Sequence, residues 1–338
     1  MIVDRYYYGK LNNNEKVMYK EIYSGCMKHQ DMIMISAKQG MAYKSFGKVM
    51  KALTDDNPLL YFLNQSVMEM ATDSDGRVTV IPQYFFSMDN VEKYNQKIQD
   101  TANKLIYDLK LMDGSEEEKV KKVHDYMCRN VKYDHEGADL RNVSRFITSH
   151  NIMGVFAHKK AQCEGIAKAA KVLLNAVDVK CIYVGGKASS GKTQMESHGW
   201  NIVSIDGQPY HLDITFDIGA GNGKYISYDY YNLTDAQMKR DHVFGSDYPR
   251  CKATQENYFV KNGLAFSSLK PLLEYAGNTI RNGKMMLYFR TDGKLKVKEV
   301  IGDVENEAFS GLSEQGKTKA RSYRIVNDAM NTCRIVFM

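Results

Sequence analysis

A chain of 338 residues is long enough for two or three domains with sizeable cores, and its composition, 43% apolar and 25% charged, is that of an ordinary globular protein. The formal net charge of +6 is spread along the chain, so there is no basic patch to suggest nucleic acid. No run of about 18 apolar residues is present to span a membrane.

Residues 1–20 lack the apolar centre of a signal peptide, which leaves a cytoplasmic protein or one whose leader has been removed. Cys26, Cys128, Cys163, Cys181, Cys251 and Cys333 are widely spaced, with no C-x-x-C. That pattern argues against a zinc site and a dense disulfide frame, and all but Cys163 are read as packing residues.

Residues 1–88 read as a first α+β module. Asn12–His29 forms a helix with Tyr19, Ile22, Tyr23 and Cys26 on one stripe, Met32–Ser36 a short strand, and Ala42–Leu53 a second helix. Two strand-like runs flank Thr72–Gly76 as a hairpin with a longer loop. The Tyr6-Tyr7-Tyr8 run is expected to pack against a neighbour.

Residues 89–150 are helical. Asn90 can cap a helix that carries Val91, Tyr94, Ile98, Ala102, Leu105 and Leu109 on one face. Ser115 to Glu118 fits a capping box and opens a second helix with Val120, Val123, Met127 and Val131 inward. His124 lies beside that stripe and is read as a helix-face histidine, since nothing near it in sequence makes it a ligand or base.

The chemistry concentrates between Gly154 and Asp217. Behind Cys163, Ile166, Ala170, Leu173, Leu174 and Val177 recur at helical spacing, with Glu164, Lys168, Lys171 and Asn175 on the opposite face. The helix therefore starts at or just before the cysteine. Unpaired N–H groups and the macrodipole favour negative charge at that end, so a thiol there ionises more readily. Downstream, SHGWNIVSI and QPYHLDIT are rich in strand formers and are separated by Asp206-Gly207, a hairpin signal. Counting back from that turn pairs Ile205 with Gln208, sets Trp200 opposite Asp213 and His198 opposite Thr215, and makes His198 and Asp213 diagonal neighbours on one face. A slip of one residue would separate them.

These motifs resemble the transglutaminase-like superfamily. Q-C-E-G-I-A-K-A is similar to its cysteine motif, S-H-G-W-N-I-V to its H-A-W-N-x-V, and H-L-D-I-T-F-D to its x-V-D-P-T-W-D. The K-V-H-D-Y-M phrase upstream is also typical of that family. The resemblance implies an α+β, papain-like core with a helix-borne cysteine on an antiparallel sheet, flanked by smaller α+β modules. It implies catalytic roles for Cys163, His198 and Asp213, and a protein or peptide substrate. Gln162, Ile166 and Ile214 replace an apolar residue, an aromatic and a proline of the family pattern without removing a reacting atom. The resemblance does not decide the compartment, because bacterial relatives include exported proteins.

The expected reaction is acyl transfer on a carboxamide through a thioester: Cys163 attacks as thiolate, His198 protonates the leaving amine, and Asp213 orients the ring. An amine acceptor gives transamidation, and water gives deamidation or peptide hydrolysis. The Cys163 N–H is expected to donate to the oxyanion and Trp200 to pack beneath the site. No acidic loop has calcium-ligand spacing, so no metal or cofactor is expected. The competing reading is a catalytically silent scaffold on the same fold that binds a protein or glycan partner.

Gly186 to Thr193 also satisfies G-x-x-x-x-G-K-[ST], a nucleotide-binding loop in form. Such a loop needs a helix starting at its Lys-Thr, and only four residues intervene before the next strand-like run. It is read instead as a polar loop between antiparallel strands, placed to overhang the site. After Asp213, Tyr225–Tyr231 reads as a strand. Thr234 to Gln237 is a capping box, and His242 is read as structural or as support behind the reacting groups. The catalytic core is taken as residues 89–251. Residues 252–338 form a third α+β module: a helix over Phe266–Ile280, a hairpin of KMMLYFR and KLKVKEV about Thr291-Asp292-Gly293, weak helicity over Glu305–Lys319, and closing strands.

Overall fold

A short first helix owes its start to a later one. In the computed structural model, which describes residues 5–139, 141–189, 194–312 and 321–338, α1 (Tyr6–Gly9) has no side-chain cap of its own. The buried Asp56 carboxylate accepts the Tyr7 and Tyr8 N–H groups at 3.0 and 2.7 Å instead. The Tyr7 hydroxyl donates to the Tyr183 carbonyl in the central sheet, and that of Tyr6 to the Asp247 carbonyl at 2.6 Å. The tyrosine run thus fastens the start of the chain to the body of the molecule.

α2 (Asn13–Met27) opens with a reciprocal capping box between Asn12 and Glu15 and buries Met18, Tyr19, Ile22 and Cys26. β1 (Ile33–Ile35) precedes α3 (Gln39–Asp56). β2 (Glu69–Thr72) and β3 (Val78–Ile81) form the expected hairpin, and β3 lies between β1 and β2 in an antiparallel sheet ordered β1-β3-β2. α4 (Met88–Asp108) starts three residues earlier than the sequence suggests. Ser87 is its N-cap, in extended geometry, which places Asn90 inside the first turn. α5 (Glu116–Asn130) has the Ser115–Glu118 box.

Four short elements lead to the cysteine helix. β4 (Lys132–Tyr133) pairs in parallel with β5 (Lys160–Ala161), and α6 (Val143–Ser149) and α7 (Ile152–His158) lie between them in sequence. α8 (Cys163–Asn175) follows at once. Its first turn runs so close to the preceding loop that a Cβ on Gly165 would sit 2.7 Å from both the Ser149 and Asn151 carbonyl oxygens. The sequence put Lys168, Lys171 and Asn175 on an outer face, yet all three are buried. Lys171 Nζ and Asn175 Nδ2 donate to the Cys181 carbonyl, Asn175 Oδ1 accepts the Cys181 N–H, and Lys168 Nζ donates to Glu164 at 2.6 Å. The helix is enclosed all round, with its polar groups satisfied by the next strand and by each other.

β6 (Cys181–Ala188), β7 (Glu196–Ile205) and β8 (Gln208–Leu212) form an antiparallel sheet. The Asp206-Gly207 turn has φ of +50° and +76°, the two left-handed residues a tight hairpin needs, and Ile205 pairs with Gln208 as counted. The expected strand stops short at Leu212, because Asp213 caps α9 (Ile214–Gly221), so Thr215 is helical rather than opposite His198. Residues 190–193 of the glycine-rich stretch lie outside the described residues. The strands flanking it pair antiparallel, with Gly186 opposite His198, and β7 begins at Glu196. Among the described residues no helix stands between these strands, in keeping with the reading of a polar loop between antiparallel strands.

Tyr225–Tyr231 is a loop rather than a strand. Its tyrosines are held by side-chain bonds, such as the Tyr230 hydroxyl donating to Asp241 at 2.6 Å, in place of a ladder. α10 (Asp235–Met238) starts with the Thr234–Gln237 box, and β9 (His242–Val243) joins the central sheet to give the order β8-β7-β6-β9. After α11 (Tyr258–Lys261), β10 (Ala265–Phe266) and α12 (Leu269–Arg281), β11 (Met286–Thr291) pairs with β10 and with a later strand. The expected β-hairpin about Asp292-Gly293 is absent, since KLKVKEV opens α13 (Val297–Ser310). β12 (Ser322–Asn327) and β13 (Thr332–Phe337) complete a sheet ordered β10-β11-β13-β12.

One apolar cluster runs from Leu11 to Tyr288 and joins α2, α3, α4, α5, α7 and α8. A second, spanning Leu272 to Phe337, lies between α12, α13 and the last sheet. A third gathers around Trp200 and is continuous with the site. No helix among the described residues is long and apolar enough to cross a membrane.

Candidate active site

Cys163 is the first residue of α8 and is partly exposed, whereas the other five cysteines are buried, and all six are free thiols. Its N–H is one of the helix's first four, which have no partner within the helix. Gln162, just before it, is buried, and its amide nitrogen donates to the Asp134 carbonyl at 3.0 Å, so it supports the loop. Asn201 on β7 donates to the Ala167 and Ile182 carbonyls and so ties α8 to the sheet that carries His198.

His198 Nε2 and Asp213 Oδ2 are 2.6 Å apart. That bond engages Nε2, and the Cys163 thiol is close enough to the ring to add to the rise in its pKa. Burial alone would lower the imidazole's pKa. The charge and hydrogen bond of Asp213, with the Cys163 contribution, outweigh it and push the ring from 6.5 up to about 10. Asp213 is fully buried, yet it is held well below the usual carboxylate range because the charge and bond of His198, followed by His242, overcome the cost of burial. Its other oxygen accepts the Phe216 N–H at 3.0 Å and caps α9.

A third imidazole stands behind this pair. His242 Nε2 lies 3.1 Å from the same Asp213 oxygen, and its Nδ1 lies 2.6 Å from Asp241 Oδ1. A ring facing a carboxylate at both nitrogens donates at both only as imidazolium. Burial lowers its pKa, but the bonds to Asp213 and Asp241 win and raise it. The chain Tyr230–Asp241–His242–Asp213–His198 is therefore continuous. The sequence allowed His242 a supporting place beside Asp241 but gave no sign that Tyr230 joins them. The Asp-His pair after the capping box was the signal available.

Trp200 is 1% exposed, lies near-parallel to His198 at 5.9 Å, and donates from Nε1 to His211 Nδ1 at 3.0 Å. With Phe216 it walls the imidazole off from water. Two groups of residues in this region have ligand atoms close enough for a metal ion. In one, His198 and His242 both turn toward Asp213. In the other, His211 Nδ1 already accepts from Trp200 while Nε2 faces Asp235. Direct hydrogen bonds account for both groups.

A second thiol–imidazole–carboxylate cluster was not legible in the sequence. His124, expected on a helix face, is fully buried. Its Nε2 lies 3.1 Å from Asp217 Oδ2 and 3.5 Å from Cys128 Sγ, and its Nδ1 lies 3.0 Å from Asp125. Burial lowers the ring's pKa, but Cys128, Asp125 and Asp217 together raise it well above 6.5. Burial pushes the Cys128 thiol up.

Comparison with known proteins covers the same stretch. Residues 104–214 match the transglutaminase-like superfamily. The match spans α5 and α8, the strand carrying His198 and the start of α9 at Asp213, and over this stretch the α+β fold is transglutaminase-like. Over 132 residues the chain is 24% identical to the kyphoscoliosis peptidase of Mus musculus, a match that covers 36% of this chain. The chain spans only 19% of that relative's length. Among solved structures it is similar to a TGase at 20% identity, with a TM-score of 0.30 over 46% of this chain and 45% of the other. It is also similar to a provisionally assigned cysteine protease from Cytophaga hutchinsonii at 12% identity, with a TM-score of 0.29 over 44% of this chain and 61% of the other.

Proposed function

We propose that this chain is a cysteine-dependent acyl-transfer enzyme acting on a carboxamide, with Cys163 as nucleophile, His198 as general acid–base and Asp213 as the group that orients it. The observation that carries this reading is the 2.6 Å bond from His198 Nε2 to Asp213, made by a ring that stands near a thiol at a helix start. A thiolate beside an imidazolium is the resting pair such an enzyme needs. Attack on the amide carbon forms the C–S bond. The tetrahedral oxyanion is met by the Cys163 N–H, and collapse expels an amine that takes its proton from His198. Water or a second amine then attacks the thioester, with His198 accepting the proton. The name of the mouse relative, a peptidase, favours a protein or peptide substrate.

Residues 89–251 are proposed as the catalytic core, with 1–88 and 252–338 as flanking modules. The test is incubation with a glutamine-bearing peptide and an amine probe, scored by mass for amine addition, deamidation or cleavage, with Cys163→Ala as blank. Any of the three products, absent in the blank, supports the reading. No turnover, together with equally slow alkylation of all six cysteines, supports the silent-scaffold alternative instead.

A further inference from the structure

A cleft of about 610 Å³ lies between the core and the last sheet. Its lining includes Cys128 but none of Cys163, His198 or Asp213, so it is a separate site. Four cationic residues line it, Arg129, Lys224, Lys284 and Arg334, and no aspartate or glutamate does. The first three are exposed, whereas Arg334 is only 7% exposed.

Arg334 is fixed in an unusual way. Its guanidinium carbon sits 3.8 Å from the ring centre of Tyr225 and 4.1 Å from that of Tyr288, a cation held between two aromatic rings. A guanidinium has five N–H donors. Here one terminal nitrogen donates to the Ile226 carbonyl at 3.0 Å, and the other meets only the weakly accepting Met286 sulfur at 3.1 Å. Nε has no hydrogen-bond partner among the described residues, and none of their carboxylates forms an ion pair with this side chain. The acids behind the wall are engaged elsewhere: Asp125 accepts from the Tyr228 hydroxyl, and Asp229 from the Tyr288 hydroxyl and Asn327.

Arg290, in the same region and 2% exposed, shows the contrast. Its Nε and one terminal nitrogen donate to Asp292, and the other donates to Asn257. Burying a cation is costly unless it is paired, so a buried arginine normally has what Arg290 has. Arg334 has the aromatic clamp and the carbonyl but lacks the anion.

We propose that this cleft binds a small organic oxyanion, a carboxylate or phosphate carried on a flat ring. Arg334 is the buried anchor. Lys224, Lys284 and Arg129 concentrate negative charge at the mouth, where low-dielectric walls strengthen their field. Charge-assisted N–H···O⁻ bonds supply the attraction that the arginine does not find in the protein. Tyr258 and Tyr275 also line the wall and supply aromatic surface for the ring. The volume is within the range of small-molecule sites.

The test is calorimetric titration of the full chain with phenyl phosphate and with benzoate, alongside benzyl alcohol and inorganic phosphate. At least one ring-bearing anion is expected to bind at millimolar affinity or better, about tenfold or more above benzyl alcohol, and to weaken as salt is raised. The stronger of the two identifies the anion. Arg334→Met should weaken binding about tenfold or more. The exposed double change Lys224→Ala with Lys284→Ala should weaken it severalfold without altering the circular dichroism spectrum. Three results overturn the proposal: neither anion binding, the neutral ring binding as well as the charged ones, or the lysine pair leaving affinity unchanged. Inorganic phosphate binding as tightly as phenyl phosphate would remove the ring from it.

Discussion

Cys163 opens α8 and is partly reachable by solvent, while Cys128 lies in the last turn of α5 and is 6% exposed. Each is next to an imidazole, and each imidazole to a buried aspartate. The difference is in which atoms are left over. His198 has a carboxylate at one nitrogen only, Asp213 at Nε2, and the Cys163 thiol stands near the ring. His124 faces carboxylates on both sides, Asp125 and Asp217, so its protons are tied down and it has no lone pair to accept another. The helix termini act in the same sense, since negative charge is favoured at the start of α8 and disfavoured at the end of α5. The same three residue types therefore serve as a proposed reaction centre in one place and as a cross-link between α5 and α9 in the other.

The largest expected contrast is in turnover. Cys163→Ala should reduce acyl transfer by about 1000-fold or more, whereas Cys128→Ala should leave kcat/KM within about twofold, both read in the peptide and amine assay. Equal losses from the two would erase the distinction. Next comes alkylation: iodoacetamide near neutral pH should label Cys163 before Cys128 by a factor of about 100, and His198→Ala should remove most of that lead, as peptide mass mapping will show.

A third contrast is in pH. His198 is raised from 6.5 to about 10, so it contributes stability that is fully present below about 6.5 and fades as pH climbs toward 10. The gap in unfolding free energy between the parent and His198→Gln should accordingly be widest below pH 6.5 and close toward pH 10. Asp213 has the opposite sign, and its contribution is lost on acidification. A gap that stays constant across this range would remove the ion-pair account. The smallest effect is at Gly165. Alanine there would press on two backbone carbonyls that have little room to retreat, and Gly165→Ala should cost about 2 kcal/mol in denaturant unfolding.

Much of the site was legible because local rules govern it. The apolar stripe behind Cys163 fixed where α8 begins, and Asp206-Gly207 fixed a register that only a two-residue turn permits. What escaped the sequence reading depends on contacts between distant segments. Nothing in the neighbourhood of His124 announces Asp217, which is 93 residues away. Lys171 reads as an outward residue until β6 covers it with the Cys181 carbonyl. KLKVKEV alternates like a strand over four residues, but Val297, Val300, Ile301 and Val304 follow the helical period and are the positions buried in α13. Tyr225–Tyr231 has the composition of a strand, but within it the β8 end meets only the Tyr230 carbonyl, which accepts the Asp213 N–H, and side-chain hydroxyl bonds help to hold it as a loop.

Asp213 holds two offices at once, one oxygen anchoring a backbone turn and the other gathering two rings. Evolution cannot tune the proton chemistry here without also touching the entry to α9. An asparagine retains an oxygen for the Phe216 N–H but gives up the charge and turns the atom facing His198 and His242 into a donor, whereas an alanine gives up the helix cap as well. Matched rate and melting data on those two variants would therefore separate what this carboxylate does for the reaction from what it does for the scaffold.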